Sequence, residues 1–374
     1  MKVPYFIPWI NSHDKKTVLN SLGQRWLTNG IYQKKFENNT KKFIGSKFAS
    51  AVGSATQGLH LSTRSIDIGP HDEVIVPTLT FAATANCVVF CGGKPVFADV
   101  DYDTFNIKPE NIKKNITKKT KAIIPVHYGG QSCNMDEILE IAGEYNLKII
   151  EDCAHALGST YKNKKCGVMG VTGCFSFYPT KVITTGEGGM ITTNNPRIYK
   201  KIELLKSQAM NVQAKEREQK TKWKYDIVDL GYNYRMDEIR AALGYSQLNR
   251  VNKINRMRIK IAEQYNKLLR NVKGVEIPVK MKDRNHIYHL YSIKITKEFH
   301  LSRDEVFDKL SKKGIGTSVQ YTPLHKMSYY KNKFKIKHYF PNANKLENEI
   351  LCLPIFPTME QKQIEYVCNT INKI

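Results

Sequence analysis

The 374-residue sequence lacks the features of several familiar protein classes. No apolar run approaches the roughly 20 residues that a membrane-spanning helix needs. The first residues, MKVPYFIPWINSHDKK, do not form a secretory signal. The chain also has no G-K-S/T phosphate loop and no GxGxxG dinucleotide fingerprint. We therefore expect a cytoplasmic protein, with no membrane partner, that binds its ligands by other means.

The cysteines show no pattern of metal binding or disulfide pairing. They form neither CxxC pairs nor the Cys and His spacing of a zinc site. Several lie inside apolar runs, where a free thiol behaves as a small hydrophobic group. The sequence predicts buried free thiols and no metal site. The residues concerned are Cys87, Cys91, Cys133, Cys153, Cys166, Cys174, Cys352 and Cys368.

Positive charge is present in excess. Lys and Arg number 58 against 34 Asp and Glu, which gives a formal net charge of +24. Clustered cations would indicate a nucleic-acid partner, but here they are dispersed along stretches such as Lys200–Lys206 and Lys253–Lys267. We favour a solvated basic surface and no nucleic-acid partner, with nucleic-acid binding as the alternative.

Short apolar runs alternate with helix-like segments between Val52 and Thr193, the pattern of βαβ units with a mostly parallel sheet. We expect an α/β fold. The predicted strands are Glu73–Pro77, Pro95–Asp99, Ala122–Val126, Lys148–Glu151, Cys174–Phe177 and Gly189–Thr193, and the predicted helices between them are Thr56–Ser65, Ala82–Cys91 and Met135–Tyr145.

The second part of the chain has a different pattern. Lys206–Lys224 is polar and predicts a loop or exposed helix, and helical spacing from Met236 to Ile254 predicts one long linking helix. Scattered strands and an amphipathic helix, Arg303–Lys312, follow. The length suits two domains. We predict a large α/β domain over residues 1–245, and the linking helix with a smaller α+β domain over 246–374.

Lys181 stands in an unusual segment. In a chain that is one-quarter charged, Gly167–Thr193 contains two charged residues, Lys181 and Glu187. A lysine in uncharged surroundings has a lowered pKa and a nucleophilic amine, which suits Schiff-base chemistry. An ordinary loop lysine that contacts a carboxylate, for example Glu187, fits this segment equally well.

Asp152 and His155 form a second candidate group in the segment IIEDCAHALGS. The aspartate follows an apolar run, at the carboxyl end of a predicted strand, where open α/β sheets place ligand groups. A carboxylate there could keep a pyridine nitrogen protonated, and the imidazole could stack on the ring. A helix-capping aspartate with a packed histidine is the alternative.

The segment VGSATQGLH predicts a loop that leads into a helix at Ser54, Ala55 and Thr56. Free N–H groups and small residues at a helix start can bind a phosphate. Simple helix capping by Ser54 explains the same sequence.

Taken together, motifs along nearly the whole chain resemble those of the DegT/StrS family of sugar-nucleotide aminotransferases. They are RWLTNG, GSAT, PTLTFAATAN, PVFADVD, KAIIPVHYGG, EDCAHALGS, FSFYPTK, TTGEGGM, GYNYRMDEIRAALGYSQL, GIGTSVQYTPLH and LCLPIFP. The resemblance implies pyridoxal 5'-phosphate (PLP) as cofactor and the type I PLP-dependent aminotransferase fold. It also implies a homodimer with shared active sites.

The resemblance also implies roles for individual residues. Lys181 resembles the lysine that forms the Schiff base and later carries the proton, and Asp152 resembles the partner of the pyridine nitrogen. The other residues implied to bind the cofactor are Ala55, Thr56, Phe81, His155, Ser176 and, from the other subunit, Asn233. Those implied to contact the nucleotide sugar are Tyr5, Arg25, Trp26, Leu27, Thr28, Tyr321 and His325.

Within the family, EDCAHALGS, FSF and YTPLH favour enzymes that aminate C4 of UDP-linked 4-keto sugars, with L-glutamate as donor. GDP-perosamine synthases, which usually carry Glu at the position of His155, and dTDP-sugar enzymes are the alternatives, and Tyr178 departs from the His common in the UDP branch. Dehydratase relatives have His where Lys181 stands. A non-catalytic binding protein with this fold, the alternative from another class, should have lost some of these residues.

Overall fold

The structure, a computed structural model, describes residues 1–212 and 224–374. The helices are α1 (Ser12–Leu22), α2 (Ile31–Ile44), α3 (Ala55–Ser65), α4 (Ala83–Phe90), α5 (Pro109–Lys114), α6 (Met135–Glu144), α7 (Pro196–Leu205), α8 (Glu238–Leu248), α9 (Val251–Leu269), α10 (Arg303–Lys312), α11 (Ser328–Phe334), α12 (Pro341–Glu349) and α13 (Gln361–Lys373). The strands are β1 (Phe48–Val52), β2 (Glu73–Pro77), β3 (Lys94–Ala98), β4 (Thr120–Ile123), β5 (Lys148–Asp152), β6 (Thr160–Tyr161), β7 (Lys164–Lys165), β8 (Thr172–Ser176), β9 (Gly189–Thr193), β10 (Val275–Glu276), β11 (Arg284–Asn285), β12 (Tyr291–Ile295) and β13 (Ile350–Leu353).

A large sheet with the strand order β1-β9-β8-β5-β4-β2-β3 forms the centre of the fold. The strands from β8 through β3 pair in parallel, and β9 is antiparallel to both β1 and β8. The helices α4, α5 and α6 connect β2 to β3, β3 to β4 and β4 to β5, whereas the short strands β6 and β7 lie between β5 and β8. The predicted mostly parallel sheet is confirmed.

The strand β1 was not predicted. Three of its five residues, Ala49, Ser50 and Ala51, are small and carry little of the β-branched or aromatic signal that marks a strand. Pairing with β9 forms it nonetheless, because the register from Phe48 to Val52 places four of the five residues in the interior.

The single long linking helix predicted from the apolar spacing is wrong. The chain forms α8 and α9 with a break at Asn249 and Arg250, where Arg250 has φ −117° and ψ 12°. The guanidinium of Arg250 donates to Asp14 in α1 at 2.8 Å and to the Trp9 carbonyl at 2.7 Å. Apolar residues keep their helical spacing across the break, so periodicity does not reveal it.

The predicted loop or exposed helix Lys206–Lys224 lies partly outside the described residues. Its described part pairs with the segment before α8: Ser207 forms an antiparallel bridge with Asn233, and Met210 forms one with Ile227. This ladder fixes where Asn233 lies.

A second, antiparallel sheet with the order β10-β12-β13 forms in the last quarter of the chain. It packs with α9, α10 and α13 around a separate apolar core that includes Tyr265, Tyr291 and Leu353. This is the predicted α+β pattern, and α10 has its predicted bounds. The division into domains at residue 245 stays a prediction.

Two further expectations concern the whole chain. All eight cysteines are free thiols, and all are buried except Cys91, which is partly exposed. Among the described residues, no helix is both long enough and apolar enough to cross a membrane.

Candidate active site

A cavity of about 510 Å³ lies at the carboxyl ends of the parallel strands β5 and β8. Open α/β sheets bind ligands at this edge. The cavity brings together the predicted residues Tyr5, Ala55, Thr56, Phe81, Asp152, His155, Ser176, Lys181 and Tyr321. Its wall also includes Ser54, Leu59, Thr80, Ala83, Val126, Ala154, Tyr178, Thr180, Glu187, Ser318 and Gln320.

Lys181 lies in this cavity just beyond β8, and its backbone N–H donates to the Tyr178 carbonyl at 2.9 Å. Burial lowers the pKa of the Lys181 ammonium to about 8, although the Asp152 carboxylate opposes the shift. Glu187 lines the same cavity but forms no ion pair with Lys181. The structure therefore does not support a loop lysine neutralised by Glu187, and the lowered pKa makes the unprotonated amine more populated near neutral pH than in an ordinary lysine.

Asp152 is the last residue of β5 and is 4% exposed. Its Oδ1 accepts from the Ala154 N–H at 3.1 Å, and its Oδ2 accepts from the Thr84 hydroxyl at 2.8 Å. Burial raises the pKa of this carboxyl, while the two hydrogen bonds and Lys181 act in the opposite direction. Among the described residues no helix begins directly after Asp152, so it is not a helix cap, and its Oδ1 bond closes a turn. A carboxylate has about four acceptor positions, so both oxygens keep capacity for a ligand.

His155 is buried beside Asp152 and has a defined tautomer. Its Nδ1 accepts from the Gly129 N–H at 3.3 Å, so Nε2 carries the proton and donates to the Tyr321 hydroxyl oxygen at 3.1 Å. Burial and the nearby Lys181 hold the pKa of His155 well below its usual value. The imidazole is therefore neutral, and its plane lies 15° from that of the Tyr321 ring.

The start of α3 forms the anion-binding side of the cavity. Ser54 caps the helix by accepting from the Gln57 N–H at 3.2 Å, and Ala55 and Thr56 occupy the first turn, whose N–H groups have no intrahelical partner. β9 passes close by at Gly189, where a Cβ would lie 2.5 Å from the Ser54 carbonyl carbon. The glycine of TTGEGGM is thus required for this close approach.

Several predicted residues lie outside the cavity of the single chain. Asn233 is exposed on the ladder with Ser207. The segment from Arg25 to Thr28 is held by backbone contacts: the Leu27 carbonyl accepts from the Glu238 N–H at 2.9 Å, and Thr28 forms a β-bridge with Asp237. Its side chains face outward, since Arg25, Leu27 and Thr28 are exposed and Trp26 is half-buried. These residues are on the surface next to the start of α8.

His325 is also outside the cavity wall, and its ring nitrogens already have partners. Nδ1 lies 2.7 Å from the Thr78 hydroxyl and Nε2 lies 3.0 Å from Asn344 Oδ1, and the ring stacks on Phe340. The imidazole therefore ties the loop after Tyr321 to the end of β2.

One group of side chains has the composition of a metal site. The ligand atoms of His127, Glu151 and Cys153 lie within 4.8 Å of one another in the core. Glu151 already accepts three backbone N–H bonds and pairs with His127 Nε2 at 3.0 Å, and His127 Nδ1 accepts from the Cys133 N–H. The lone pairs of Glu151 and His127 that a metal would need are engaged, so we interpret this group as structural.

Sequence reasoning missed several residues at the site. Thr84 contacts Asp152, and Thr80 joins the cavity wall, although both stand in the motif PTLTFAATAN. Ser318 and Gln320 also line the cavity, and they lie in GIGTSVQYTPLH.

An α/β fold of this topology, with an enclosed lysine beside a buried aspartate and an open helix start, defines a type I PLP-dependent aminotransferase. The chain belongs to the DegT/DnrJ/EryC1/StrS aminotransferase family, whose model matches residues 8–372. It is a sugar aminotransferase, and its cofactor is pyridoxal phosphate. The predicted family, fold class and cofactor are confirmed.

Relatives match the chain from end to end. It is 43% identical over 375 residues to protein MJ1066 of Methanocaldococcus jannaschii, covering 100% of this chain and 97% of that one. It is 38% identical over 376 residues, with the same coverage, to the spore coat polysaccharide biosynthesis protein SpsC of Bacillus subtilis.

Solved structures agree with this assignment. PseC of Helicobacter pylori, an aminotransferase involved in the biosynthesis of pseudoaminic acid, has a TM-score of 0.93 and 29% identity, with 100% of this chain and 98% of that chain covered. An aminotransferase of Streptococcus pneumoniae in its PLP form has a TM-score of 0.92 and 28% identity, with the same coverage.

Proposed function

We propose that this enzyme transfers the amino group of L-glutamate to C4 of a UDP-linked 4-keto-6-deoxy sugar in the cytoplasm, for a surface glycan. The observation that carries the proposal is one cavity that joins a lysine with a pKa of about 8, a buried aspartate and an unpaired helix start. By their names, SpsC takes part in spore coat polysaccharide biosynthesis and PseC in the biosynthesis of pseudoaminic acid, which supports the glycan role.

The residues of the cavity fit the cofactor. Lys181 presents the amine that would hold it, the α3 start with Ser176 suits its phosphate, and Asp152 suits its pyridine nitrogen. When bound, PLP supplies an electron sink for the charge left at the substrate carbon.

Lys181 has a second proposed task. Once displaced from the cofactor, its amine accepts a proton from one carbon and returns it to another, which is general acid–base work. A pKa of about 8 suits this, because a proton carrier works best when its pKa lies near the operating pH. The neutral His155 and Phe81 would flank the ring.

Asn233 and the segment from Arg25 to Thr28 are proposed to complete the site of a second copy in a homodimer. Large apolar side chains are exposed around them: Leu230 is 70%, Ile227 is 61% and Ile31 is 53% exposed. Exposed large apolar side chains of this kind, where they cluster, mark interaction surfaces. A homodimer would cover it and bring Asn233 to its partner's cavity.

Mixing two inactive variants tests the shared site. In the proposed dimer each site takes Lys181 from one subunit and Asn233 from the other. A dimer of one Lys181→Ala subunit and one Asn233→Ala subunit therefore contains one site with both residues intact. Mixing them under conditions that exchange subunits should restore up to about a quarter of wild-type activity, since half of the dimers are mixed and each has one intact site. No recovery from a mixture shown by mass to contain mixed dimers would contradict the proposal.

The substrate is tested with UDP-, dTDP- and GDP-linked 4-keto-6-deoxy sugars, with L-glutamate as donor and product mass as the readout. The proposal expects the highest kcat/KM with the UDP sugar. A preference for the GDP sugar would place the enzyme with perosamine synthases and overturn the UDP assignment. L-Glutamate alone should convert the bound cofactor to its amino form, and failure with glutamate but success with another amino acid would replace the donor.

A further inference from the structure

A chain of hydroxyl groups leads from the cavity wall at Thr80 to Asp152. The Thr84 hydroxyl lies 2.8 Å from Asp152 Oδ2, and the Thr80 hydroxyl lies 2.9 Å from that of Thr84. Thr84 is fully buried and Thr80 is 2% exposed. Thr84 is the second residue of α4, so the helix holds its side chain in place.

The direction of these hydrogen bonds follows from the proton count. An ionised carboxylate is an acceptor only, so the single hydroxyl proton of Thr84 goes to Asp152. The bond between the threonines must then be donated by Thr80. Polarisation along such a chain strengthens the last bond.

Asp152 needs this donor because it is buried. Burial raises the pKa of its carboxyl, and the Thr84 hydroxyl is the largest of the contributions that lower it. A protonated Asp152 could not stabilise a protonated pyridine nitrogen as a carboxylate does. The bond also fixes the direction of Oδ2, while the Ala154 N–H fixes Oδ1.

We propose that Thr84, supported by Thr80, is a positioning residue that keeps Asp152 ionised and aimed at the cofactor's pyridine nitrogen. The inference rests on the proposed function in one respect, that Asp152 is the partner of that nitrogen. The competing explanation is that Thr84 packs the core at the start of α4 and its hydroxyl is incidental.

The test measures the affinity of the apoenzyme for PLP and the nitrogen-15 chemical shift of bound PLP labelled at the pyridine nitrogen. Thr84→Val keeps the shape and removes the donor. It should weaken PLP binding by about tenfold to a hundredfold, the range for a hydrogen bond to a charged group. The nitrogen signal should move toward that of an unprotonated pyridine.

Matched variants separate the hydroxyl from packing. Thr84→Ser and Thr84→Ala both lose the methyl group, so the difference between them isolates the hydroxyl, and this comparison remains if Thr84→Val folds poorly. Thr80→Val should weaken binding by a few-fold. Thr63→Val removes another buried hydroxyl, one that donates to the Leu59 carbonyl at 2.8 Å, and should change neither readout.

The outcomes are distinct. If Thr84→Ser behaves as wild type and Thr84→Ala does not, the proposal holds; if the two variants bind alike with unchanged nitrogen shifts, Thr84 only packs. If Asp152→Asn itself retains wild-type affinity and shift, the assignment of Asp152 fails instead. Adding Thr84→Val to Asp152→Asn should weaken PLP binding no further, and an additive loss would show that Thr84 acts independently of Asp152.

Discussion

Lys206 is buried and Lys181 lies partly exposed in the cavity, and the groups around their ammonium nitrogens differ. Lys206 Nζ lies 2.6 Å from Glu203 Oε1, 3.6 Å from Glu37 Oε1 and 2.8 Å from the Ser50 hydroxyl. Lys181 Nζ forms no hydrogen bond or ion pair with any residue in the described part of the chain.

The pKa values of the two lysines follow from burial and from the carboxylates near each ammonium group. Burial alone would lower the pKa of Lys206, but the Glu203 and Glu37 carboxylates outweigh it and raise the value. Burial of Lys181 is opposed by Asp152 alone, and its pKa falls to about 8. The two lysines thus serve different purposes: the ion-paired Lys206 joins elements, and Lys181, which has no close counter-ion, is available as a base and nucleophile.

The largest expected effect comes from removing Lys181. Lys181→Ala should reduce transamination by at least about 10²- to 10⁴-fold, because both the attachment of the cofactor and the proton transfer depend on this amine. The absorbance of the lysine-linked cofactor should disappear. Single-turnover kinetics with L-glutamate measure the loss, and a variant with normal turnover would refute the role of Lys181.

Removing Lys206 should affect the stability of the fold rather than the attachment of the cofactor. Lys206→Met leaves the Glu203 and Glu37 carboxylates without their cation and should lower the free energy of unfolding by about 3 kcal/mol. Denaturant titration of the apoenzyme measures this. PLP should still form its covalent link to Lys181 in the folded variant. An unchanged denaturation midpoint would show that water replaces the ammonium group.

Only one of these two lysines could be recognised from sequence, because Lys206 is buried by contacts with distant parts of the chain, although its nearest partner, Glu203, is three residues away. The isolation of Lys181 is visible within Gly167–Thr193. Lys206 depends on Ser50, 156 positions away, and no local pattern contains that contact. The bond from Thr84 to Asp152 spans 68 positions and was missed for the same reason.

The helices and strands were likewise predicted well only where the pattern that forms them is local in the sequence. Strands and helices whose pattern is local, such as β2 and α10, have their predicted bounds. The elements that were wrong or missed depend on distant partners: β1 on its pairing with β9, and the break before α9 on the contact of Arg250 with Asp14. Most of the residues that the motifs propose for the cofactor lie in one cavity, because they sit at or near strand and helix ends; their roles stay a prediction.

The two lysines should differ in their reactivity with pH. In the apoenzyme, trace acylation of Lys181 should reach half its maximum near pH 8, while Lys206 should stay unreactive at that pH. Peptide mass spectrometry measures both sites in one sample. Equal labelling of the two lysines at pH 8 would contradict the comparison.

The lowered pKa of Lys181 also makes the stability of the apoenzyme depend on pH in a direction that can be stated in advance. The folded-state pKa of Lys181 is below the unfolded value of about 10.4, so the unfolded chain binds more protons between pH 8 and that value. Lys181 therefore destabilises the apoenzyme fully below about pH 8, and less as the pH rises. Apo Lys181→Met should be more stable than wild type at pH 7, with the difference fading above roughly pH 10.4. A constant difference from pH 7 to 10.5 would contradict the lowered pKa.

The smallest expected effect comes from a substitution that makes the surroundings of the Lys206 ammonium group more like those of Lys181. Glu203→Gln removes the nearest carboxylate but keeps an oxygen for the Ser50 hydroxyl, which donates to Glu203 at 2.6 Å. We expect a loss of about 1 kcal/mol in the free energy of unfolding. The pKa of Lys206 should fall, because burial is then opposed by Glu37 alone at 3.6 Å. Acylation of Lys206 should therefore begin at lower pH than in wild type.

Glu140→Gln, on the exposed face of α6, is the matched control and should change neither stability nor labelling of Lys206. If Glu203→Gln leaves the labelling of Lys206 unchanged as well, Glu37 is sufficient to hold the proton. The difference between the two lysines would then depend on one carboxylate each, at different distances: Glu37 close to Lys206, and Asp152 beyond ion-pair distance of Lys181. Distance rather than the number of counter-ions would in that case separate a structural lysine from a reactive one, since the Coulomb energy falls with separation.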